Sequence, residues 1–218
     1  MSDSKKAIER PDSNIHKQKR ALLTRQELLR SARVIFARDG FEHARLEDIA
    51  SNAGKTRGAF YDNFKDKEDV FCAIFEEDME RDLVTLGPLL RAQPTIDQRI
   101  EALSNYLSEL ANDRQRILLN LEFKLYAIRH PRKRKRLADL HTTMRLRSSI
   151  PELDRLLREV TGQAEYAGFK DSMAICGIMD GLSLNHLFDP DSFNHKELVR
   201  YLNLCIHETV HCVSEHAV

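Results

Sequence analysis

The sequence predicts an all-α protein of about nine helices, with a three-helix head at the N-terminus and a helical body behind it. Helix-breaking residues are sparse, since the 218 residues include only 8 Gly and 6 Pro, whereas Leu, Ala, Arg and Glu are common. Apolar residues recur every three or four positions from Leu28 onward, which is the spacing of one helix face. With 42% apolar residues the chain can bury a sizeable core.

The first helix is predicted to begin at Thr24-Arg-Gln-Glu27, a capping-box pattern. It is expected to stop at Gly40, with Phe41 packing back on Phe36. Residues 1–20 are polar and interrupted by Pro11, which predicts a flexible basic arm. The apolar face of the first helix comprises Leu28, Ala32, Ile35 and Phe36.

Two short helices follow. The first carries the stripe Leu46, Ile49, Ala50 and Ala53 and ends at Gly54. Thr56 can cap the second, expected over 57–64, with Phe60 and Phe64 turned inward. Two short helices around a glycine turn are typical of a helix-turn-helix, so we predict a DNA-binding domain over 21–68.

The rest of the chain, 69–218, is predicted to be a helical body. A fourth helix should run from Asp66 to Leu86 and stop at Gly87-Pro88. Asp189-Pro190 should separate the last two helices. The remaining helices are expected over 95–112, 115–129, 133–160 with a break at Pro151, 165–188 and 194–214.

Charge and cysteine usage narrow the functional classes. The net charge is zero, but residues 1–65 hold fourteen Lys and Arg against nine Asp and Glu, so a basic head precedes a more acidic body. The four cysteines form no CxxC motif, which favours buried thiols in a reducing compartment. No apolar run reaches about 18 residues and the first twenty residues lack an apolar signal segment. We therefore expect a cytoplasmic protein with no membrane contact, and no cofactor motif appears.

The stretch Gly40-Phe41, Leu46-Glu-Asp-Ile-Ala50, Ala53-Gly54-Lys-Thr-Arg-Gly58-Ala-Phe-Tyr61-Asp-Asn-Phe64 and Lys67 resembles the N-terminal motif of TetR/AcrR-family regulators. The resemblance covers about residues 24–72. Weaker likenesses follow at 121–127, at 180–182 and at Asp189-Pro190. It implies a ligand-responsive transcriptional repressor, not an enzyme, that binds a palindromic DNA operator as a homodimer.

The resemblance implies that the helix from Arg57 enters the major groove, where Arg57 can contact guanine or phosphate. Two positions depart from the family pattern: Arg45 replaces a common capping Thr, and Lys55 replaces a common Val. Both changes leave DNA binding intact but predict an unusual operator. The expected DNA-contacting residues are Arg45, Lys55, Thr56, Arg57, Gly58, Ala59, Tyr61, Asn63 and Lys67.

By the same resemblance, the helices near 165–188 and 194–214 form the homodimer interface, and an unknown small-molecule effector enters the body. Helix 115–129 is apolar nearly all round, which predicts burial. Glu122 within it is expected to pair with a neighbouring Arg, or else to meet a cationic ligand. The candidate pocket residues are Phe75, Glu122, Phe123, Tyr126, Met144, Met173 and Cys176.

Three features leave alternatives open. His207-Glu-Thr-Val-His211 matches the HExxH pattern of zinc hydrolases, but too few residues follow for the third ligand that catalysis requires. A metal-responsive regulator using His207, His211 or Cys212 is the milder alternative, and Cys72 is a candidate redox sensor. The basic run 129–136 suits nucleic acid by composition, but we interpret it as a solvated corner far from the DNA groove.

Overall fold

A computed structural model describes residues 11–147, 150–161 and 168–215, and within these ranges the chain is all-α with no strand. Ten helices are present there, which confirms the predicted fold class. In chain order they are α1 (Pro11–His43), α2 (Leu46–Asn52), α3 (Arg57–Tyr61), α4 (Lys67–Arg91), α5 (Ile96–Ala111), α6 (Arg114–Arg129), α7 (Pro131–Arg147), α8 (Pro151–Thr161), α9 (Gly168–Phe188) and α10 (His195–Glu215).

Helix α1 is longer than predicted at its N-terminal end. It begins at Pro11, so residues 11–20 are helical where a flexible arm was expected, and Thr24 lies inside the helix. Proline fits the first turn of a helix because its missing N–H has no partner there. The helix is interrupted at Gly40, where we expected it to end. Gly40 has a non-helical backbone, with φ of 76° and ψ of 157°, and the helical conformation then continues to His43. Phe36 and Phe41 then pack with ring centroids 5.1 Å apart.

Helices α2 and α3 form the predicted helix-turn-helix. Gly54, with a φ of 65°, makes the turn between them. The side chain of Thr56 caps α3 by accepting from the amide of Ala59. Arg45 at the start of α2 makes no side-chain cap, as its replacement of Thr predicts. Helix α3 ends at Tyr61, earlier than the expected 64.

The prediction that α4 stops at Gly87-Pro88 is wrong. The helix continues through Pro88 to Arg91. Proline removes one hydrogen bond from a helix interior, but Leu86 and Leu90 on either side are fully buried, and this burial offsets the local cost. Consequently α4 is a single 25-residue helix that reaches from the head to the far end of the body.

The apolar core has two parts. The first contains α1 to α4 of the head together with Leu119, Phe123 and Tyr126 of α6 and Leu137 and Met144 of α7. The second lies among α4, α5, α6, α8, α9 and α10. The head therefore packs directly onto α6 and α7 through shared core, and α4 contributes to both parts.

The last two helices expose large apolar side chains: Met173, Leu184 and Phe188 on α9, and Tyr201 and Leu204 on α10. Phe188 is the most exposed of these, at 87%. These are the helices for which we predicted a homodimer interface, and that assignment stays a prediction. In the described part of the chain, no helix is both long and apolar enough to cross a bilayer.

Candidate nucleic-acid interface and internal cavity

Helix α3 is held rigidly on the head. Phe60 and Phe64 are buried beneath it and their ring centroids lie 5.7 Å apart. Arg25 of α1 places its guanidinium 4.5 Å from the centre of the Phe64 ring. The hydroxyl of Thr56 accepts from the Ala59 amide at 3.1 Å. One face of α3 is thus fixed in the core while the other faces solvent.

The outward face of α3 carries Arg57, Gly58 and Tyr61, all exposed. The Arg57 guanidinium lies 5.5 Å from the Tyr61 ring centre and 3.1 Å from the Glu47 carboxylate. The hydrogen bond to Tyr61 and the charge of Glu47 raise the pKa of Arg57 above its ordinary value. Because Gly58 has no side chain, a duplex could approach the helix backbone closely at this point.

Some of the other residues expected to contact DNA are exposed, and others are bonded to residues of the head. Arg45 is exposed and Thr56 lies at the N-terminus of α3. The ammonium of Lys55 pairs with Glu27 at 2.7 Å, and the Asn63 amide donates to the Ala59 carbonyl at 2.8 Å. Both side chains are therefore held by the head itself, and either must leave its partner to reach DNA.

Lys67 is placed differently from the expected phosphate contact. Its ammonium donates to the backbone carbonyl of Glu42 at the end of α1. It lies 5.3 Å from the Phe41 ring centre and 5.8 Å from that of Tyr126. Burial lowers the pKa of Lys67 below its ordinary value. In this conformation Lys67 ties the root of α4 to α1 instead of pointing to solvent.

A cavity of about 360 Å³ lies inside the body, between α4 and the helices that surround it. Its wall is mostly apolar, which is typical of small-molecule sites. The apolar lining includes Phe75, Met79, Leu86, Leu103, Leu107, Ile150, Leu157, Ile175 and Met179; the polar lining includes Asp78, Asp82, Tyr106, Arg116, Asn120, Lys124, His141, Arg145, Asp154 and Asp180.

Five polar side chains of the cavity wall are bonded to one another. Arg116 donates to Asp82 at 2.9 Å, and the Tyr106 hydroxyl donates to the same carboxylate at 2.7 Å. Burial and the neighbouring Asp82 raise the pKa of Tyr106. Lys124 pairs with Asp180. These five side chains are therefore satisfied without a ligand, as buried polar groups generally are.

His141 is another titratable group of this wall whose pKa is displaced from its ordinary value. Burial, with the charges of Arg145 and Lys124, lowers the pKa of His141 to about 4. Its ring packs 4.7 Å from that of Phe75, measured between centroids. The imidazole is consequently neutral at physiological pH and can accept or donate one hydrogen bond.

Two of the seven predicted pocket residues line this cavity, namely Phe75 and Cys176. Arg145 donates to the Cys176 sulfur at 3.0 Å. The other five, Glu122, Phe123, Tyr126, Met144 and Met173, do not line it.

Each of those five is placed elsewhere for a packing reason. Phe123, Tyr126 and Met144 belong to the core shared with the head, where Phe123 stacks on Phe71 at 3.7 Å. Met173 is exposed. The expected pairing of Glu122 with an arginine is wrong, because its carboxylate accepts from the Phe41 amide at 3.3 Å. Helix α6 is also less enclosed than predicted, since Leu125 and Ile128 face solvent.

The polar wall of the cavity was missed by sequence reasoning, although a signal existed. Asp78 and Asp82 stand four and eight residues after Ile74 on the apolar stripe of α4. Charges on the buried face of a helix require partners, and the structure supplies Arg33 for Asp78 and Arg116 for Asp82.

The HExxH pattern lies on α10, where His207 and Glu208 are exposed. The side chains of His211 and Cys212 are outside the described residues. In the described part of the chain, no three His, Cys, Asp or Glu side chains come together as a metal site would require.

The basic corner between α6 and α7 packs against the head. Glu68, buried at the root of α4, binds both Lys133 at 3.0 Å and Arg136. Burial alone would raise the pKa of Glu68, but these two hydrogen-bonded cations lower it overall. His130 lies 3.5 Å from Glu42. The corner is solvated on its outer side, as expected, but it adjoins the helix-turn-helix head.

The fold and this head define a class: an all-helical protein with a helix-turn-helix at its N-terminus. Residues 28–74 match the family model described as bacterial regulatory proteins, tetR family. Over these residues the chain is therefore similar to tetR-family regulatory proteins.

Curated relatives show the same likeness. The HTH-type transcriptional repressor AcnR of Corynebacterium diphtheriae is 42% identical over 59 residues, which is 27% of this chain and 31% of that protein. The first relatives are thus matched over about a third of their length. The HTH-type nicotine-responsive transcriptional repressor HdnoR of Paenarthrobacter nicotinovorans is 27% identical over 184 residues, covering 80% of this chain and 89% of that protein.

Solved structures share the fold. The fatty acid degradation regulator FadR from Bacillus halodurans has a TM-score of 0.65 at 21% identity, covering 84% of this chain and 93% of that one. FadR from Bacillus subtilis in complex with stearoyl-CoA has a TM-score of 0.61 at 20% identity, covering 85% and 97%.

Proposed function

We propose that this protein is a transcriptional repressor that binds a palindromic DNA operator as a homodimer and releases it when a small organic effector fills the body cavity. The observation that carries the proposal is α3. Its inner face is fixed by Phe60 and Phe64, while Arg57, Gly58 and Tyr61 form an open outer face. That arrangement suits insertion into the major groove.

The apolar side chains exposed on α9 and α10 support the homodimer. Exposed apolar side chains concentrated on two adjacent helices are typical of a subunit interface. A two-fold axis there would present two copies of α3 to one duplex, and a palindromic operator mirrors that symmetry.

Helix α4 is the connection between effector and operator. Its first turn holds Lys67 and Glu68 at the head, while Phe75, Asp78 and Asp82 line the cavity. Asp78 also binds Arg33 of α1 at 2.8 Å. An effector that shifts α4 therefore alters the placement of the head, and it does so only to the extent that it binds the two states differently.

The test is a selection of random duplex DNA on the full-length protein, followed by titration of the selected site. We expect an enriched palindrome that binds at least about 1000-fold more tightly than scrambled DNA. Arg57→Ala and Tyr61→Ala should abolish most of that preference. Arg158→Ala on the exposed surface of α8 removes the same charge from the body and serves as the matched control.

Two results would contradict the proposal. One is the absence of any enriched sequence. The other is an Arg57→Ala variant that keeps the operator preference of the unmodified protein.

Small organic molecules can be screened afterwards by their ability to dissociate the selected complex. A zinc titration with chelator controls in the same assay addresses the metal-responsive alternative.

A further inference from the structure

The first two turns of α7 carry five consecutive basic residues, Arg132 to Arg136, and its first turn has no acidic residue. The N-terminus of a helix bears partial positive charge, so cations there oppose the dipole. Helix stability therefore does not explain this run.

Among the described residues, ion pairs within the protein involve only three of these five basic residues. Lys133 and Arg136 share the buried carboxylate of Glu68, and Lys135 pairs with Asp139 one turn later. Arg132 and Arg134 are exposed and, across the described residues, neither makes an ion pair. Two guanidinium groups thus face solvent beside charges that Glu68 and Asp139 only partly neutralise.

The position of the run relative to the head is fixed by contacts. The ammonium of Lys133 lies 5.3 Å from the Tyr126 ring centre, and that of Lys67 lies 5.8 Å from the same centre. Lys67 opens α4 three residues after Phe64, which packs on α3. The start of α7 is therefore next to the root of α4, on the domain that carries the helix-turn-helix.

This neighbourhood lacks the phosphate contact that Lys67 was expected to make, because its ammonium is bound to the Glu42 carbonyl. We propose that Arg132 and Arg134 contact the sugar-phosphate backbone of duplex DNA next to the site bound by α3. The proposal rests on the DNA-binding function proposed above. Such contacts add affinity and fix the register of the protein without reading bases.

The experiment compares full-length protein with the double variant Arg132→Gln/Arg134→Gln on the selected operator and on scrambled DNA, over a series of salt concentrations. For each phosphate that the variant no longer binds, the slope of log affinity against log salt should fall by about 1, and affinity near 0.1 M salt by up to about 10-fold. Because backbone contacts are independent of sequence, the ratio of operator to scrambled affinity should stay unchanged.

The matched control is Arg155→Gln/Arg158→Gln, which removes the same charge from exposed positions on α8. Its salt slope should equal that of the unmodified protein. The thermal midpoint of the Arg132→Gln/Arg134→Gln variant should stay the same or rise, since the change removes cations from a helix N-terminus. A lower midpoint would indicate a structural role and overturn the proposal.

An unchanged salt slope, or a slope that falls equally in the α8 control, would also overturn it. These results are distinct from failure of the DNA-binding function. If the DNA-binding function fails, the unmodified protein selects no operator. If only the role of α7 fails, the unmodified protein selects an operator, Arg57→Ala loses it, and the Arg132→Gln/Arg134→Gln variant binds like the unmodified protein.

Discussion

Arg33 joins the head to the body through a buried ion pair, and Arg33→Met tests how much that pair matters. Its guanidinium contacts Asp78 at 2.8 and 3.0 Å and Glu77 at 2.8 Å. The side chains of Arg33 and Asp78 are only 14% and 5% exposed. Burial would lower the pKa of Arg33, but the two carboxylates raise it overall, so the guanidinium stays charged.

Methionine keeps the packing of the aliphatic part of the Arg33 side chain but removes its charge. Asp78 then stays buried without its main cationic partner. Removal of one member of a buried pair costs about 3–5 kcal/mol. Arg81 remains 3.0 Å from Asp78, so we expect a loss of about 2–3 kcal/mol in the free energy of unfolding. For a chain of this length that corresponds to a decrease of roughly 4–12 °C in Tm.

The assay is urea unfolding followed by circular dichroism at a fixed protomer concentration, because the proposed dimerisation would make stability concentration-dependent. Arg38→Met is the control, since Arg38 forms an exposed pair with its neighbour Asp39, and its midpoint should not change. In a double-mutant cycle, Asp78→Leu should restore much of the stability lost in Arg33→Met.

A single-variant loss below about 1 kcal/mol, or additive effects of the two changes, would refute the reasoning that Arg33 and Asp78 form one stabilising unit. A loss in operator affinity larger than the loss in stability would instead indicate that the pair also sets the placement of the head.

Further predictions concern single positions. Gly40→Ala should destabilise the fold by about 1–3 kcal/mol in the same urea assay, because φ is 76° and a Cβ would lie 2.9 Å from the Glu122 carboxylate; an unchanged midpoint would contradict this. The pKa of Glu68 is lower when folded, so its contribution to stability is present above about pH 4.5 and lost as pH falls further. Glu68→Gln should flatten the decrease in Tm below that pH, and an equally steep decrease would contradict the ion-pair assignment. Burial, with nearby carboxylates, raises the pKa of Cys72 to about 12, so its alkylation at pH 8, read by mass spectrometry, should be about 1000-fold slower than in urea; equal rates would restore the redox-sensor alternative.

The head was predictable because its signals are local. Thr56, Gly54 and the spacing of Phe60 and Phe64 each determine structure within a few residues, and the structure places the cap, the turn and the buried rings where the sequence indicated. Local reasoning failed where tertiary packing dominates. Pro88, a strong helix breaker, lies inside α4 because the helix is buried on both sides of it.

The cavity was harder to predict because its lining comes from side chains far apart in sequence. Apolar residues on α6 could face either the cavity or the head, and nothing in the spacing of Phe123 and Tyr126 distinguishes the two. The structure shows that both contact Phe41 of α1. Lys67 shows the same limit: its motif position predicts DNA contact, whereas its ammonium is bound to a carbonyl 25 residues earlier in the chain.

The paired side chains in the cavity wall have a consequence for selectivity. Asp82, Arg116 and Tyr106 already bond one another, as do Lys124 and Asp180. A molecule entering between these pairs meets polar groups that already have partners, and His141 is an exception because it can still accept or donate one hydrogen bond. We therefore expect such a molecule to be recognised chiefly by its size and shape. Apolar shape matching discriminates a missing methylene by only about 1–3 kcal/mol. If the cavity takes an effector, as proposed, we expect graded responses across a series of chemically related compounds instead of a strict response to one.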